Sequence, residues 1–410
     1  MMPELTPRPG SVESHLAVLP TGVRGTLLGV SLIEDVTLTP ALLSVLDSLP
    51  HAAGGAPQVL TELTERGLLD GPILGRWRIT SPVSVLALRT GVSRAGVLEA
   101  VTAHYEGQLG HAADLLLLGR RVRARRAPRP SSVFSSPVAA LSWIQEELPN
   151  LTTLVNAVVT DASAAIRLAT QKKVLTASNQ RGVERGRQAL HRVISLVALL
   201  DEFWARREDR PARSRLVSVA HLAAAALGDP ALQAGTHLRL ALSHASTGNL
   251  QLAVDSACSA QALYEQLRNT PGRLECAALL AEIRLAQGEL TTALSLASGV
   301  VEGYAGAAVW ERARAQVLLG RCQHARGDHR AALASFTAAA GLGVFGELER
   351  AELALYRCRT QLAHHPNSSI TKRLEEAETV LRRNGSDHGL AEVQLLRAAD
   401  RSVIPSRRTT

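Results

Sequence analysis

Aromatic side chains are scarce: four Trp, four Tyr and four Phe make up 3% of 410 residues. That scarcity argues against a sandwich core centred on Trp or Phe. Ala, Leu and Val must build the interior, as they do in closely packed helices. Lysine is nearly absent (Lys172, Lys173 and Lys372), so Arg carries almost all the positive charge. Four cysteines, Cys258, Cys276, Cys322 and Cys358, form no CxxC pair, which argues against a zinc knuckle or redox motif. They read as small buried apolar residues in a reducing compartment. Long apolar runs are missing as well. Val193 to Leu200 falls far short of the roughly 20 residues that span a bilayer. The N-terminal stretch with Glu4, Arg8, Pro9 and Glu13 lacks the apolar core of a signal peptide. A soluble, cytoplasmic chain is expected.

Catalytic signatures are also missing. No GxxxxGK[ST] phosphate loop, G-x-S-x-G, HExxH or convincing carboxylate pair occurs. His364 and His365 are adjacent and would diverge by about 100 degrees on a helix. His324 and His329 straddle Gly327 without a nearby cysteine, and His237 and His244 lie two turns apart. No enzyme activity, cofactor or metal is expected.

What is present is a repeat. Gly248, Gly288 and Gly327 are each followed five residues later by an alanine: Ala253, Ala293 and Ala332. The glycines are 40 and then 39 residues apart. Before each lies an apolar residue and a small one: Leu240-Ala241, Leu280-Ala281 and Leu319-Gly320. This predicts helix pairs in which the glycine ends the first helix in a left-handed cap and the alanine marks the close crossing of the second. The spacing resembles the tetratricopeptide pattern, with links at Leu227–Asp229, Asn269–Gly272 and Gly303–Ala307 lengthening the period. The aromatic positions of that pattern hold His237, Ala277 and Gln316, and His244, Arg284 and Gln323.

The rest of the chain divides around these repeats. Residues 1–14 read as a disordered lead and 15–82 as a winged-helix-like domain. In that domain Thr39-Pro40 and Pro57 start helices, and Leu68-Leu69 and Arg76–Ile79 flank a turn. Residues 83–136 read as helices with an Arg-rich connector, and 137–227 as a helical bundle starting at Ser136-Pro137. The repeats fill 228–400, with breaks at His365-Pro366 and Asn384-Gly385, and 401–410 form a frayed tail. Pro149 is expected to kink or break its helix. The fold class is all-α: an N-terminal winged-helix-like domain followed by an α-helical tetratricopeptide-like solenoid.

Ala140-Leu141-Ser142-Trp143, Glu147 and Asn150-Leu151 together resemble the A-L-x-W-x-x-x-E-x-x-N-L signature of the antibiotic-regulatory (AfsR-like) STAND-family regulators of actinobacteria. Leu60–Leu63 with Gly67-Leu68-Leu69, Gly75–Ile79 and His104-Tyr105 resemble neighbouring motifs of that family in matching order. The resemblance implies a winged helix followed by a repeat sensor. The family's ATP-binding domain has no counterpart here, and Thr80-Ser81 stand where the family has a phosphate-sensing His-Asp pair. The chain thus resembles the sensor arm of such a regulator without its nucleotide switch, or a separate sensor subunit of a split ATPase.

The expected function is non-catalytic binding of a protein or peptide partner in a solenoid groove, in transcriptional regulation or signalling. The candidate groove residues are His237, His244, Arg284, Gln316 and Gln323. A net charge of +8 permits anionic partners. The alternative is nucleic acid, contacted by the winged helix or by Arg120, Arg121, Arg123, Arg125, Arg126 and Arg129. Against it, the candidate recognition helix Gln58–Arg66 would aim Glu62 and Glu65 at phosphates, and the Arg segment has no interleaved aromatics for stacking. A solvated basic linker is its plainer reading. Trp143 and Trp204 read as core anchors. The oligomeric state is not encoded in any of these features.

Overall fold

A computed structural model describes residues 15–16, 19, 27, 31, 33, 36–39, 60–61, 63–73, 76–80, 83, 94–118, 133–171, 177–365 and 368–403. The expected lead (1–14), the helix expected from Pro40 and the Arg-rich connector at 119–132 lie outside the described residues; of the expected helix Gln58–Arg66, residues 60, 61 and 63–65 are helical. The chain forms two compact units, one of residues 1–107 and 147–193, the other of residues 108–146 and 194–410.

The first unit contains a small antiparallel sheet of strands β1 (Thr37–Leu38), β2 (Leu69–Ile73) and β3 (Arg76–Ile79), in the order β1-β3-β2. The β2–β3 hairpin falls where two β-like segments were expected. β2 runs further than its Leu68-Leu69 seed, with an irregularity between Asp70 and Ile73. β1 was not anticipated, because Thr37-Leu38 is too short for alternation to register. Two long helices cross from one unit to the other: α1 (Arg94–Leu118) and α2 (Pro137–Gln171). α2 continues through Pro149 rather than breaking there. Ile144, Leu148 and Leu151 are all buried on either side of that proline. Their packing outweighs the lost backbone hydrogen bond. α3 spans Ala177–Leu199.

The second unit is a run of antiparallel helices. After a short α4 (Asp201–Trp204) come α5 (Arg210–Leu227), α6 (Pro230–Ser246), α7 (Leu250–Gln266), α8 (Thr270–Ala286) and α9 (Leu290–Gly303). They continue as α10 (Val309–Arg326), α11 (His329–Gly341), α12 (Glu347–His364), α13 (Thr371–Arg383) and α14 (Asp387–Val403). Asx residues start several of them. Asp209, Asp229 and Asn269 each accept a backbone N–H of the first turn, and a proline sits at N1 or N2.

The repeat glycines behave as their spacing predicts. Gly248, Gly288 and Gly327 have φ of 78, 78 and 92 degrees. The residue after each donates its N–H to the carbonyl of His244, Arg284 or Gln323, at 2.9 Å in all three turns. Orphan carbonyls at the end of the first helix are thereby satisfied. Ala253, Ala293 and Ala332 are fully buried where the second helix crosses. Ala241 and Ala281 are equally buried, and Gly320 lies so close to Phe336 that a Cβ there would sit 2.5 Å from its ring. Large side chains cannot occupy these crossings, which is why Ala dominates the interior.

The last hairpin returns to the start of this unit. The N–H of Asp387 donates to the carbonyl of Arg206 at 3.1 Å, and the Asp387 carboxylate lies 3.6 Å from the Arg207 guanidinium. Gly385 makes room for Leu141, the leucine of the A-L-x-W motif. Arg206 is itself buried and donates to the Leu116 carbonyl. Cys276, Cys322 and Cys358 are buried as expected, but Cys258 is exposed on α7.

Candidate functional site

Two constellations of polar side chains stand out, one in each unit. In the first unit, three of the four quoted sequence motifs converge. The Tyr105 hydroxyl of α1 donates to the Glu147 carboxylate of α2 at 2.6 Å, and the Asn150 amide donates to the same oxygen at 2.9 Å. Asn150 also donates to the Thr37 carbonyl at 3.0 Å and accepts from the Thr37 N–H and hydroxyl, both at 3.0 Å. Arg76 of β3 donates to the Thr37 hydroxyl at 2.8 Å and lies 3.8 Å from Glu147. Glu147 and Asn150 are 3% and 1% exposed. Burial, and then the Glu147 charge, push the Tyr105 phenol well above its ordinary value, so it stays a donor. The network pins β1 and β3 to α1 and α2. Its carboxylate, amide and phenol are turned on one another, which leaves them no capacity for chemistry.

Thr80 donates its hydroxyl to the carbonyls of Leu68 and Gly67, at 3.3 and 3.4 Å. It closes the start of the hairpin. Ser81 lies outside the described residues, as do all six arginines of the connector.

In the second unit a cavity of about 260 Å³ opens between successive first helices of the repeats. It is lined by Leu285 of α8; Arg321, His324 and Ala325 of α10; Phe336 of α11; and Tyr356, Arg359 and Thr360 of α12. Glu282, one helical turn before Leu285, accepts from Arg321 at 2.6 Å. The Arg321 guanidinium lies 5.5 Å over the Tyr356 ring, whose other neighbour is Phe336, stacked at 5.9 Å with a 17° interplanar angle. The Glu282 charge raises the Arg321 pKa further still, so that side chain is always a cation. The Thr360 hydroxyl lies 3.1 Å from His324 Nδ1 and donates to the Tyr356 carbonyl at 2.9 Å. Burial first, then His329 and Arg359, lower the His324 pKa, keeping that imidazole neutral near pH 7. The Arg359 Nε donates to Glu392 of α14 at 2.9 Å.

Of the five groove residues named from the sequence, Arg284 and Gln323 stand one helical position before lining residues of this cavity, Leu285 and His324, whereas Gln316, His237 and His244 do not adjoin it. Gln323 accepts from Ser335 of its own hairpin at 2.8 Å, and Arg284 donates to Gln287 and Glu289 at 3.0 and 2.8 Å. His237 packs its ring 4.4 Å from His221, which in turn contacts Thr236. His244 and Gln316 are half-buried. A one-residue step turns a helical side chain by about 100 degrees, so neighbouring positions face different elements. One sequence signal could have found the cavity. Glu282 and Arg321 sit six residues before Gly288 and Gly327, so opposite charges occupy equivalent positions of adjacent repeats.

The histidines meet more closely than expected. The chain leaves the helix at His365, which brings its ring 4.1 Å from that of His364 instead of turning it away. His329 lies 5.3 Å from His324 and 6.1 Å from His364. Among the described residues, no group of three His, Cys, Asp or Glu side chains is placed to hold a metal ion, and no helix is long and apolar enough to cross a membrane. Trp204 is buried beside Phe203, while Trp143 is half-buried against Phe134 at 5.3 Å.

No family model matches the chain, and no curated protein does. Solved structures with a similar arrangement of helices include aspartyl phosphate phosphatase F from Bacillus subtilis, at 11% identity and a TM-score of 0.42, covering 73% of this chain and 81% of that one. A Rap protein complexed with competence and sporulation factor aligns at 12% identity and 0.39, over 63% and 87%. A STAND protein with a tetratricopeptide repeat sensor from Pyrococcus horikoshii aligns at 12% and 0.36, over 95% and 62%. At these identities and scores the likeness carries no functional weight, and what the chain can bind must be read from its own cavity.

Proposed function

We propose that this chain is a non-catalytic regulatory scaffold that binds a protein or peptide partner on the surface formed by the first helices of its repeats. The observation that carries the reading is the cavity between α8, α10 and α12, where polar and aromatic groups converge on open space. At about 260 Å³ it lies below the roughly 300–1,000 Å³ of sites for drug-sized ligands, and suits one anchoring side chain of a larger partner. The one hydroxyl–imidazole contact lining it, Thr360 to His324, leaves the Thr360 proton on the Tyr356 carbonyl rather than on the imidazole, which favours recognition over catalysis.

The finer reading is that of a sensor arm similar to those of AfsR-like STAND regulators, with a winged-helix-like unit ahead of the repeats and a role in transcriptional regulation. Its support is the convergence of Arg76, Tyr105, Glu147 and Asn150, drawn from three separate motifs of the resemblance, on one buried network. The β2–β3 hairpin is where a wing would lie.

Ala325 is exposed and lines the cavity, so Ala325→Trp fills it at little cost to folding. Partners captured by the whole wild-type chain are expected to be lost on Ala325→Trp while thermal unfolding is unchanged. Equal recovery by both chains sinks the reading.

A further inference from the structure

The cavity between α8, α10 and α12 is rich in donors and poor in free acceptors. Arg321 engages Glu282 through one nitrogen, Nη1, and Arg359 engages Glu392 through Nε and Nη2. The Arg321 Nε and Nη2 and the Arg359 Nη1 have no hydrogen-bond partner among the described residues, and both side chains line the cavity. The two carboxylates, by contrast, are not part of its lining. The other polar groups there, His324 and Thr360, face each other at 3.1 Å. Tyr356, held between Phe336 and Arg321, gives an apolar floor beside the donors. A ligand that matches this surface brings hydrogen-bond acceptors and negative charge on a short apolar stem.

We infer that the cavity takes the carboxylate side chain of an Asp or Glu in an extended segment of the partner, an identification that rests on the groove reading above. The acidic group bridges the open Nε–Nη2 edge of Arg321 and the remaining Nη1 of Arg359, since guanidinium N–H groups suit carboxylate oxygens. Its stem lies against Tyr356 and Leu285. Tyr356 orients Arg321 from below, and Glu282 keeps it from turning away. The long-range field agrees, since the chain carries a net charge of +8. Glu392 competes for Arg359 from α14, whose first residue, Asp387, meets Arg206 and Arg207. Ligand charge at Arg359 therefore loosens a contact made by the last helix of the repeat run.

The test is a display selection from a random peptide library on the whole chain, followed by affinities of the winning peptides for variants. Winning sequences are expected to share one Asp or Glu, and changing it to Asn or Gln weakens binding about tenfold or more. Arg321→Gln and Arg359→Gln weaken the acidic peptide equally but leave its amide version unchanged, so the effects do not add. Glu392→Gln, which frees the Arg359 fork, tightens binding, whereas exposed Arg382→Gln on α13 changes nothing. Peptides that lose binding on Ala325→Trp but share no acidic residue overturn this inference and leave the groove reading standing. Peptides anchored only by their C-terminal carboxylate overturn the assignment to a side chain. Winners indifferent to Ala325→Trp, or no winners at all, overturn both.

Discussion

The two polar constellations are built from nearly the same residues and do opposite things. Thr37, Arg76, Tyr105 and Glu147 in the first unit match Thr360, Arg321, Tyr356 and Glu282 in the second, type for type. In the first, Asn150 completes the set, and the carboxylate sits 3% exposed with donors on it from two sides. In the second, Arg321 and Glu282 have side chains 31% and 42% exposed and border open space. Removing a partner from the sealed set leaves a buried group unpaired, whereas removing one from the open set lets water take its place. The same chemistry thus closes on itself in the first unit and borders open space in the second.

That comparison can be broken most forcefully at Glu147. Glu147→Ala strands the Tyr105 hydroxyl, the Asn150 amide and the Arg76 charge, and should cost about 3–5 kcal/mol in denaturant unfolding. A loss below 1 kcal/mol would mean that the network is not sealed. Next in size is the repeat crossing. Gly320→Ala drives a methyl into Phe336 and should cost about 1–3 kcal/mol, while Gly327→Ala meets no atom and costs only the left-handed strain, about 1 kcal/mol. Equal costs would refute the crossing argument.

Acidification tests both units together. Burial pushes His104 down to about 4 from 6.5 and lowers His221, His237 and His324. Unfolded imidazoles take up protons first, so this part of the stability is present above pH 6.5 and drains away as pH falls toward 4. His104→Gln is expected to flatten the fall of melting temperature in that window. An unchanged slope would place the sensitivity elsewhere. The smallest effect is a gain. Arg268 holds φ of 51 degrees at the α7–α8 turn, where the α5–α6 and α11–α12 turns have Gly228 and Gly343, and Arg268→Gly should stabilise by up to about 1 kcal/mol. A lower melting temperature would show that its side chain matters more than its strain.

How much of this the sequence revealed depends on whether a signal is local. The cap glycines and crossing alanines were legible because each turn is a short-range backbone problem with one cheap solution. The break at Asn384-Gly385 was legible for the same reason, and Gly385 has φ of 65 degrees. Pro149 misled because a local rule was overruled by burial on both sides. The network was half legible: Glu147 and Asn150 share a helix face by spacing, but nothing local ties Asn150 to Thr37, 113 residues away. The cavity was missed by one helical step at Arg284 and Gln323. Attention went to positions where the repeat pattern wants aromatics, and the carbonyls of His244, Arg284 and Gln323 hold the caps.

One paired measurement tests the division most directly: unfolding free energy and peptide affinity, on the same whole chain, for Glu147→Gln and Arg321→Gln. The account predicts a crossed result. Glu147→Gln lowers stability by several kcal/mol and leaves the affinity of the folded protein for the selected peptide intact. Arg321→Gln changes stability by less than about 1 kcal/mol and weakens binding about tenfold. If Glu147→Gln instead abolishes binding at full stability, or Arg321→Gln unfolds the chain without touching affinity, the assignment of structure to one constellation and recognition to the other is contradicted.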